Sequence, residues 1–222
     1  MNLIGVLGEF FPSLVSGLGT TLKITVIALI IAAFLGILIC LMNISHNKVL
    51  KVIAKFYIWI IRGTPMLVQG FYVYFALPQL IQSITGSPFR IDVFTASLLT
   101  LTLNAGAYMS EIFRGSIESV NKGQMEAARS LGLSYRKSMT KIIIPQAVRI
   151  CLPSLVNQCI ITLKDSTILY AIGLTEIMYQ AKIYVGRTME SFATYTWVAV
   201  SFLIIVTVLS FISRAVERRL NG

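Results

Sequence analysis

The chain has 222 residues, of which 56% are hydrophobic and only 13% are charged, and its mean hydropathy is +0.79. A soluble domain carries about a quarter charged residues, so this composition excludes an ordinary soluble protein and indicates a chain that lies mostly in a membrane. The formal net charge of +10 would suit nucleic acid only on a soluble basic face, and the sequence offers no soluble domain to hold one.

Five apolar stretches are long enough to cross about 30 Å of hydrocarbon as helices. They are residues 21–43, 56–81, 93–113, 142–164 and 195–213. We therefore expect an all-α, polytopic membrane protein in which residues 1–222 form a single transmembrane domain with five spans. Arg62 and Pro65 interrupt the second stretch, and Pro145 and Pro153 lie in the fourth, so the sequence defines these two spans less sharply. The first stretch is too long for a signal peptide and lacks a small-residue cleavage pattern.

The distribution of lysine and arginine predicts the orientation, because these residues concentrate in cytoplasmic loops. With the N-terminus outside, twelve of them fall in inner segments and four in outer connections. The inner set is Lys48, Lys51, Lys55, Arg114, Lys122, Arg129, Arg136, Lys137, Lys141, Arg214, Arg218 and Arg219, and the outer set is Arg90, Lys164, Lys182 and Arg187. We expect the N-terminus outside and the C-terminus in the cytoplasm, and we interpret the net charge mostly as a topology signal.

One polar segment, residues 119–141, carries start and stop signals of a short exposed helix between two spans. Asn121, with Gln124 three positions later, is a variant of the reciprocal N-terminal capping pair. Gly132 is the residue type that most easily takes the left-handed conformation after a helix. We expect a helix at Lys122–Leu131 on which a soluble partner protein docks.

The sequence contains no recognisable catalytic or metal-binding set. The three cysteines, Cys40, Cys151 and Cys159, lie inside predicted spans, where thiols usually serve as small apolar groups. The only histidine, His46, has no metal-ligand spacing to them and belongs to no Ser-His-Asp set. No phosphate-cradling glycine motif is present, so if ATP drives this protein, another chain must bind it.

Four motifs, in order along the chain, resemble those of the permease subunits of binding-protein-dependent ABC importers, in the polar amino acid branch (histidine, glutamine, arginine or cystine type). They are Arg62-Gly63-Thr64-Pro65-Met66-Leu67-Val68-Gln69; Ala107-Tyr108-Met109-Ser110-Glu111-Ile112-Phe113-Arg114-Gly115; Glu126-Ala127-Ala128 with Gly132 and Ile144-Pro145; and Leu155-Val156-Asn157-Gln158 with Lys164-Asp165-Ser166. The resemblance runs from about residue 16 to the C-terminus. Its one mild departure is Ser110, where the family often has alanine.

The resemblance implies an ABC type I importer permease fold in the bacterial plasma membrane, and a chain that itself catalyses nothing. It implies two ATP-binding subunits that hold ATP and magnesium, a second permease copy or paralogue, an extracytoplasmic substrate-binding protein and contact with membrane lipid. In such importers a short coupling helix docks into a groove of the ATP-binding subunit. By this resemblance, the docking residues are Glu126, Ala127, Ala128, Leu131 and Gly132.

Polar residues inside the predicted spans are candidates for the substrate path, because ionisable groups there are costly and usually functional. Asp165, at the outer end of the fourth span, either pairs with Lys164 at the interface or receives the α-ammonium group of an amino acid. Gln158 and Thr162 lie on the same helical face as Asp165. Because Gln158 is neutral, this stripe does not favour strict arginine or lysine specificity.

Four further polar residues lie in or near the spans, and for Glu111 with Arg114 and for Asn104 a structural and a functional interpretation compete. Glu111 and Arg114, three residues apart, form an intrahelical pair more readily than a substrate contact. Asn104 either bonds between helices or touches substrate, and Arg62 is expected to bind freed carbonyls or a carboxylate. The alternatives to an importer are a non-ABC channel, a membrane-embedded enzyme and a structural membrane subunit, and the predicted coupling helix separates the importer from all three.

Overall fold

The computed structural model describes residues 3–221, and every regular element in that range is helical, which confirms the all-α prediction. The side chains of residues 212, 213 and 216–221 lie outside the description, and the predicted inner charges Arg218 and Arg219 are among them. In chain order the helices are α1 (Leu3–Ile44), α2 (Lys48–Gly63), α3 (Met66–Phe71), α4 (Leu77–Thr85), α5 (Val93–Glu118), α6 (Lys122–Ser130), α7 (Tyr135–Ser138), α8 (Ile144–Asp165), α9 (Ile177–Thr188) and α10 (Ser191–Asn221). Single π-helical turns, Tyr72–Ala76 and Met139–Ile143, join α3 to α4 and α7 to α8, and a 3₁₀ segment, Ser166–Ile172, follows α8.

Helices α1 and α5 form the centre of the fold and run side by side in the same direction. Ile24 and Ala28, in the middle of α1, pack with Ala96 and Leu101 in the first turns of α5. Further along, a Cβ atom on Gly36 would lie only 2.9 Å from the Cβ atom of Met109, so the two backbones approach as closely as glycine allows. Small residues at such contacts are the usual way in which membrane helices gain van der Waals packing.

The second predicted span is broken in the structure. Helix α2 ends at Gly63, Thr64 and Pro65 are extended, and α3 begins at Met66. The break has two local causes: proline has no N–H to continue the helix, and it forces the preceding residue out of the helical region. A π-helical turn then separates α3 from α4, which ends at Gly86 in the left-handed conformation with φ 69°.

Two features of the fold lie outside the sequence expectations. Helix α1 begins at Leu3 rather than near residue 21, because its first turns pack Phe10 and Leu14 against Ile177 of α9. Helix α9 itself was not expected from the sequence. Three helical stretches among the described residues, Leu3–Ile44, Tyr135–Ile172 and Ser191–Phe211, are long and apolar enough to cross a membrane, so the count of five spans stays a prediction.

The bundle has two recognisable ends. At one, which we call the α6 end, α1 and α5 terminate and Val120 packs with Ile143 and Ala147 below α6. At the other, the α9 end, the start of α1 packs on α9 and α10. There the hydroxyl of Tyr184 donates to a Glu9 carboxylate oxygen at 2.9 Å. The predicted docking residues therefore lie at the α6 end, and α8 runs from that end to Asp165 at its other terminus.

Candidate transport path and coupling surface

The candidate substrate stripe occupies one face of the last two turns of α8. Gln158 and Thr162 are both buried, and the Gln158 amide donates to the Thr162 hydroxyl at 3.2 Å. Asp165 is the last residue of this helix and is half-buried. The three side chains lie four and three residues apart, which places them on one face, as the sequence predicted.

The Asp165 carboxylate has no hydrogen bond or ion pair within the part of the chain that the structure describes. The interfacial pair with Lys164, one of the two interpretations from the sequence, does not form within 4.0 Å. A half-buried carboxylate at a helix C-terminus also receives no help from the helix dipole, which favours cations there. Lys164 acts on this carboxylate only electrostatically at longer range, so no direct pair neutralises the charge and a bound ammonium group would stabilise it.

The break between α2 and α3 is closed by one side chain, Gln69. Because Pro65 lacks an N–H, the carbonyl of Ile61, four residues earlier, loses its helical donor. The Gln69 amide nitrogen lies 2.7 Å from that carbonyl and 3.0 Å from the carbonyl of Thr64. It also lies 2.9 Å from the Thr64 hydroxyl, so one amide holds both sides of the break.

Asn104 connects this break to the central helix α5. Its side-chain amide donates to the Gln69 carbonyl oxygen at 3.0 Å, and Asn104 is buried. No hydrogen bond among the described residues joins it to Gln158 or Thr162. Of the two interpretations of Asn104, the structure shows the interhelical hydrogen bond.

Glu111 belongs to an ion-pair network at the α6 end of α5. Arg114 donates to both oxygens of its carboxylate, at 3.0 and 2.8 Å, and also to Glu118 at 2.6 Å. Arg62 contributes a longer pair to Glu111 at 3.6 Å and lies over the ring of Tyr108. Arg62 thus has a carboxylate partner, one of the two roles expected of it, while Gln69 takes the freed carbonyls.

The short helix predicted at Lys122–Leu131 is present as α6, with well-formed ends. The Asn121 side chain accepts a hydrogen bond from the N–H of Gly123 at 2.8 Å. At the other end Gly132 has φ 81°, and the N–H of Leu133 donates to the Ala128 carbonyl at 3.1 Å, which together make a Schellman motif. Both ends are held locally, so α6 forms a defined unit.

The five predicted docking residues do not all face outward. Leu131 is 83% exposed, an unusual value for a leucine, and Glu126, Ala127 and Gly132 are also exposed. Ala128 is only 2% exposed and faces the body of the protein. The exposed surface of α6 therefore includes the apolar side chain of Leu131 at its C-terminus and the small side chain of Ala127. Ala128, on the opposite side, packs α6 against the rest of the protein.

Sequence reasoning missed Glu176, a buried carboxyl at the start of α9. It is 0% exposed, one oxygen accepts from the N–H of Tyr179 at 2.8 Å, and the other has no hydrogen-bond partner among the described residues. Burial raises the pKa of this carboxyl to about 7. Glutamate is not one of the residue types that usually cap a helix N-terminus, so the sequence carried no ordinary capping signal for α9.

Comparison with known proteins shows the family to which this chain belongs. Residues 28–222 match the family described as binding-protein-dependent transport system inner membrane component. The chain belongs to this family. It is 40% identical over 211 residues to the arginine transport system permease protein ArtQ of Bacillus subtilis (strain 168), with 95% of this chain and 94% of the relative covered. It is 38% identical over 210 residues to the glutamine transport system permease protein GlnP of Escherichia coli (strain K12), with the same two coverages.

Solved structures agree with this family assignment. A crystal structure of an amino acid ABC transporter with histidines superposes with a TM-score of 0.92, at 37% identity and with 99% of each chain covered. The MetNI methionine ABC transporter in an inward-facing conformation superposes with a TM-score of 0.70 at 16% identity, again over 99% of each chain, and this likeness concerns the fold alone. The protein is thus an inner-membrane permease subunit with the ABC importer permease fold, and the channel and structural-subunit alternatives are not favoured.

Proposed function

We propose that this permease forms the transmembrane path of an ATP-driven importer of polar amino acids. The observation that carries the proposal is the Asp165 carboxylate, half-buried and without a bonded partner among the described residues, beside the buried Gln158–Thr162 pair. An amino acid carries an ammonium group that binds a carboxylate and a side chain that a neutral amide can recognise. A charge-assisted hydrogen bond of this kind contributes roughly 1.5–3 kcal/mol.

The proposed substrate has a neutral polar side chain in preference to a strictly cationic one. Relatives named for arginine and for glutamine transport are 40% and 38% identical, so overall identity does not decide between them. Gln158 is the buried polar group one turn before Thr162, and it is uncharged. A carrier restricted to cationic side chains would gain from a second carboxylate at this position, whereas an amide both donates to and accepts from a neutral polar group.

Asp165→Asn in the reconstituted transporter tests the substrate site. The substitution keeps the shape and removes the charge, and we expect uptake to fall at least tenfold, since about 1.4 kcal/mol corresponds to a factor of ten. Radiolabelled glutamine uptake in proteoliposomes, with unlabelled arginine as competitor, measures both rate and preference. We expect the fall in uptake to result from a raised KM. The ATP-binding subunits should remain associated with the variant.

Glu190→Gln is the matched control, because Glu190 is a partly exposed acid of the α9 end that is not on the stripe. It should leave uptake unchanged. A wild-type rate and KM in Asp165→Asn would remove Asp165 from the substrate path, and unhindered competition by arginine at equal affinity would remove the proposed preference for neutral side chains.

The α6 surface supports the second part of the proposal, coupling to separate ATP-binding subunits. ATP and magnesium would be bound by those subunits, two permease chains would form the path, and a binding protein would deliver substrate from outside. We place the N-terminus outside and the α6 end in the cytoplasm, because twelve of the lysines and arginines lie in the segments so assigned. Leu131 would insert into the groove of the ATP-binding subunit, and the exposed Ala127 would allow close approach.

Leu131→Ser tests the coupling surface without disturbing the strained position at Gly132. We expect co-purification of the ATP-binding subunit to fall about tenfold and transport to fall with it, because docking loses an apolar anchor that contributes about 1.5–3 kcal/mol when buried. Ile84→Ser, at a 74% exposed position far from α6, is the control. Equal retention of the ATP-binding subunit by both variants would contradict the docking role, and it would leave the result on Asp165 standing.

A further inference from the structure

A polar cavity of about 1030 Å³ opens at the α6 end of the bundle. Its wall is made by the end of α1, residues 51–59 of α2, the last turns of α5, and α6 with the segment that follows it. Lys51 and Lys55 line it from α2, Lys122 lines it from α6, and Trp59 lies beside them. The cavity does not include any residue of the Gln158–Asp165 stripe.

The charge of this cavity is positive and is not balanced by its own carboxylates. Four cationic side chains line it against two carboxylates, Glu111 and Glu118. Both carboxylates are bonded to Arg114. The three lysines have no ion pair among the described residues, so they remain available to an anion.

A second, apolar cleft of about 210 Å³ adjoins the cavity and shares Ile117 with it. Its lining includes Cys40 and Leu41, Phe113, Val148 and Cys151, and no charged residue. Three elements line both the polar cavity and the apolar cleft. Helix α1 lines the cleft at residues 37–41 and the cavity at residues 43 and 44, α5 contributes to both, and the chain around Ile143 and Ile144 does the same.

We propose that the two spaces together bind one anionic phospholipid. The phosphate group lies among Lys51, Lys55 and Lys122, and one acyl chain occupies the apolar cleft toward the middle of the bundle. On α1 and α8 the cleft residues lie about one to two turns further from the α6 end than the cavity residues, which is the order of headgroup and chain in a leaflet, whereas on α5 the two spaces overlap between Glu111 and Glu118. Clusters of basic side chains at this level attract anionic lipids, and each contributes measurably when it lies near the membrane surface.

The combination of the two spaces favours a lipid over other occupants. A soluble phosphate compound would use the lysines but would leave the apolar cleft empty. A zwitterionic lipid would use the cleft but would gain little from the unpaired lysines. The site needs neither Asp165 nor Leu131, although its Lys122 belongs to α6, the proposed coupling helix. It lies in the cytoplasmic leaflet under the orientation proposed above.

Native mass spectrometry of the purified permease with its ATP-binding subunit tests the site. The probes are palmitoyl-oleoyl phosphatidylglycerol, phosphatidylcholine with the same chains, and glycerol 3-phosphate, which has the anion without chains. We expect one phosphatidylglycerol per permease chain, held more tightly than phosphatidylcholine, and no retained glycerol 3-phosphate. Lys51→Gln/Lys55→Gln should weaken phosphatidylglycerol binding by at least tenfold, since one basic residue near the surface contributes about a factor of five.

Matched variants distinguish a specific lipid site from general attraction of anionic lipid to the basic end of the molecule. Lys48→Gln/Lys137→Gln removes the same charge from the same end of the molecule but outside the cavity, and it should leave binding unchanged. Val148→Trp fills the cleft and should weaken binding of both lipids, whereas Leu38→Trp, on an exposed α1 position outside the cleft, should not. Equal losses in the two lysine pairs would overturn the site, as would equal binding of the two lipids. Retention of glycerol 3-phosphate would make it a soluble-anion site, and binding only when the ATP-binding subunit is absent would show that this subunit covers the cavity.

Discussion

The α1–α5 pair is held together by close packing, whereas the segment from α2 to α4 is held by side-chain hydrogen bonds. Helices α1 and α5 are continuous and meet through small residues, with Gly36 against Met109 and Gly106 against Leu35. The segment from α2 to α4 crosses a comparable length of chain but is interrupted at Thr64–Pro65 and again by a π-helical turn. Its stability at the first interruption depends on the Gln69 amide rather than on close packing.

This contrast indicates that α1 and α5 form a rigid frame, whereas the segment from α2 to α4 can bend at its interruptions. Two helices in backbone contact have one way to pack, and displacing them opens voids whose lining loses its van der Waals contacts. A break held by side-chain hydrogen bonds can re-form with another acceptor at little cost, provided that a donor stays in reach. Because Asn104 joins Gln69 to the frame, movement at the break is tied to the centre of α5.

Gly36→Leu should have the largest effect, because it attacks the rigid frame. The new side chain would begin 2.9 Å from the Met109 Cβ atom and 3.2 Å from the Ser110 nitrogen, neither of which can move independently of α5. We expect a loss of about 3 kcal/mol, the upper part of the usual range for overpacking, seen as a lower thermal unfolding midpoint in detergent. Gly19→Leu, where nothing lies within 4 Å of the added Cβ, is the control on the same helix. Equal midpoints for the two variants would contradict the view of α1–α5 as the rigid part.

Gln69→Leu should have a smaller effect on stability and a distinct effect on transport. It leaves the partly buried Ile61 carbonyl without its side-chain donor, and we expect a cost near the lower end of the roughly 1–3 kcal/mol that a fully buried polar group would lose. In a double-mutant cycle with Asn104→Leu, we expect a coupling of at least 0.5 kcal/mol, as is usual for residues that share a hydrogen bond. Gln79→Leu, an exposed glutamine of α4, should be neutral. Strict additivity of Gln69→Leu and Asn104→Leu would show that the bond between them has no energetic role.

The sequence predicted the frame better than it predicted the polar contacts. The helical class, the start of α5 at residue 93 and the ends of α6 follow from local rules of hydropathy and, for α6, of capping, and the structure shows them. The extension of α1 to Leu3 depends on its contact with α9, a partner more than 160 residues away, so no local pattern could reveal it. The docking face was predicted as one surface, but Ala128 faces inward because packing below α6 decides which side is buried.

The roles of Arg62 and Gln69 at the break between α2 and α3 show why the contacts of site residues were harder to predict from the sequence. Arg62, Gly63, Pro65 and Gln69 all lie in one motif, and the sequence assigned the freed carbonyls or a carboxylate to Arg62. Because arginine is charged, it was the obvious candidate to bind the carbonyls freed by Pro65. Which side chain binds them depends instead on its distance along the chain from the break. Gln69 is one turn beyond Pro65 and reaches back to Ile61, whereas the Arg62 side chain extends toward α5.

Arg62→Gln should therefore have the smallest effect, and it gives the sharpest test of the comparison. The ion pair with Glu111 is long at 3.6 Å, the Arg62 side chain is 44% exposed, and Glu111 keeps its two shorter bonds to Arg114. Exposed pairs of this kind contribute about 0–1 kcal/mol, and the contact with the ring of Tyr108 adds roughly 0.5–1 kcal/mol. We expect a change in the thermal unfolding midpoint clearly below that of Gln69→Leu, measured side by side in the same detergent. If Arg62→Gln were the more damaging of the two, the charge of Arg62 would be what holds the broken helix. The flexible segment would then depend on an ion pair sensitive to salt, rather than on an amide that salt does not screen.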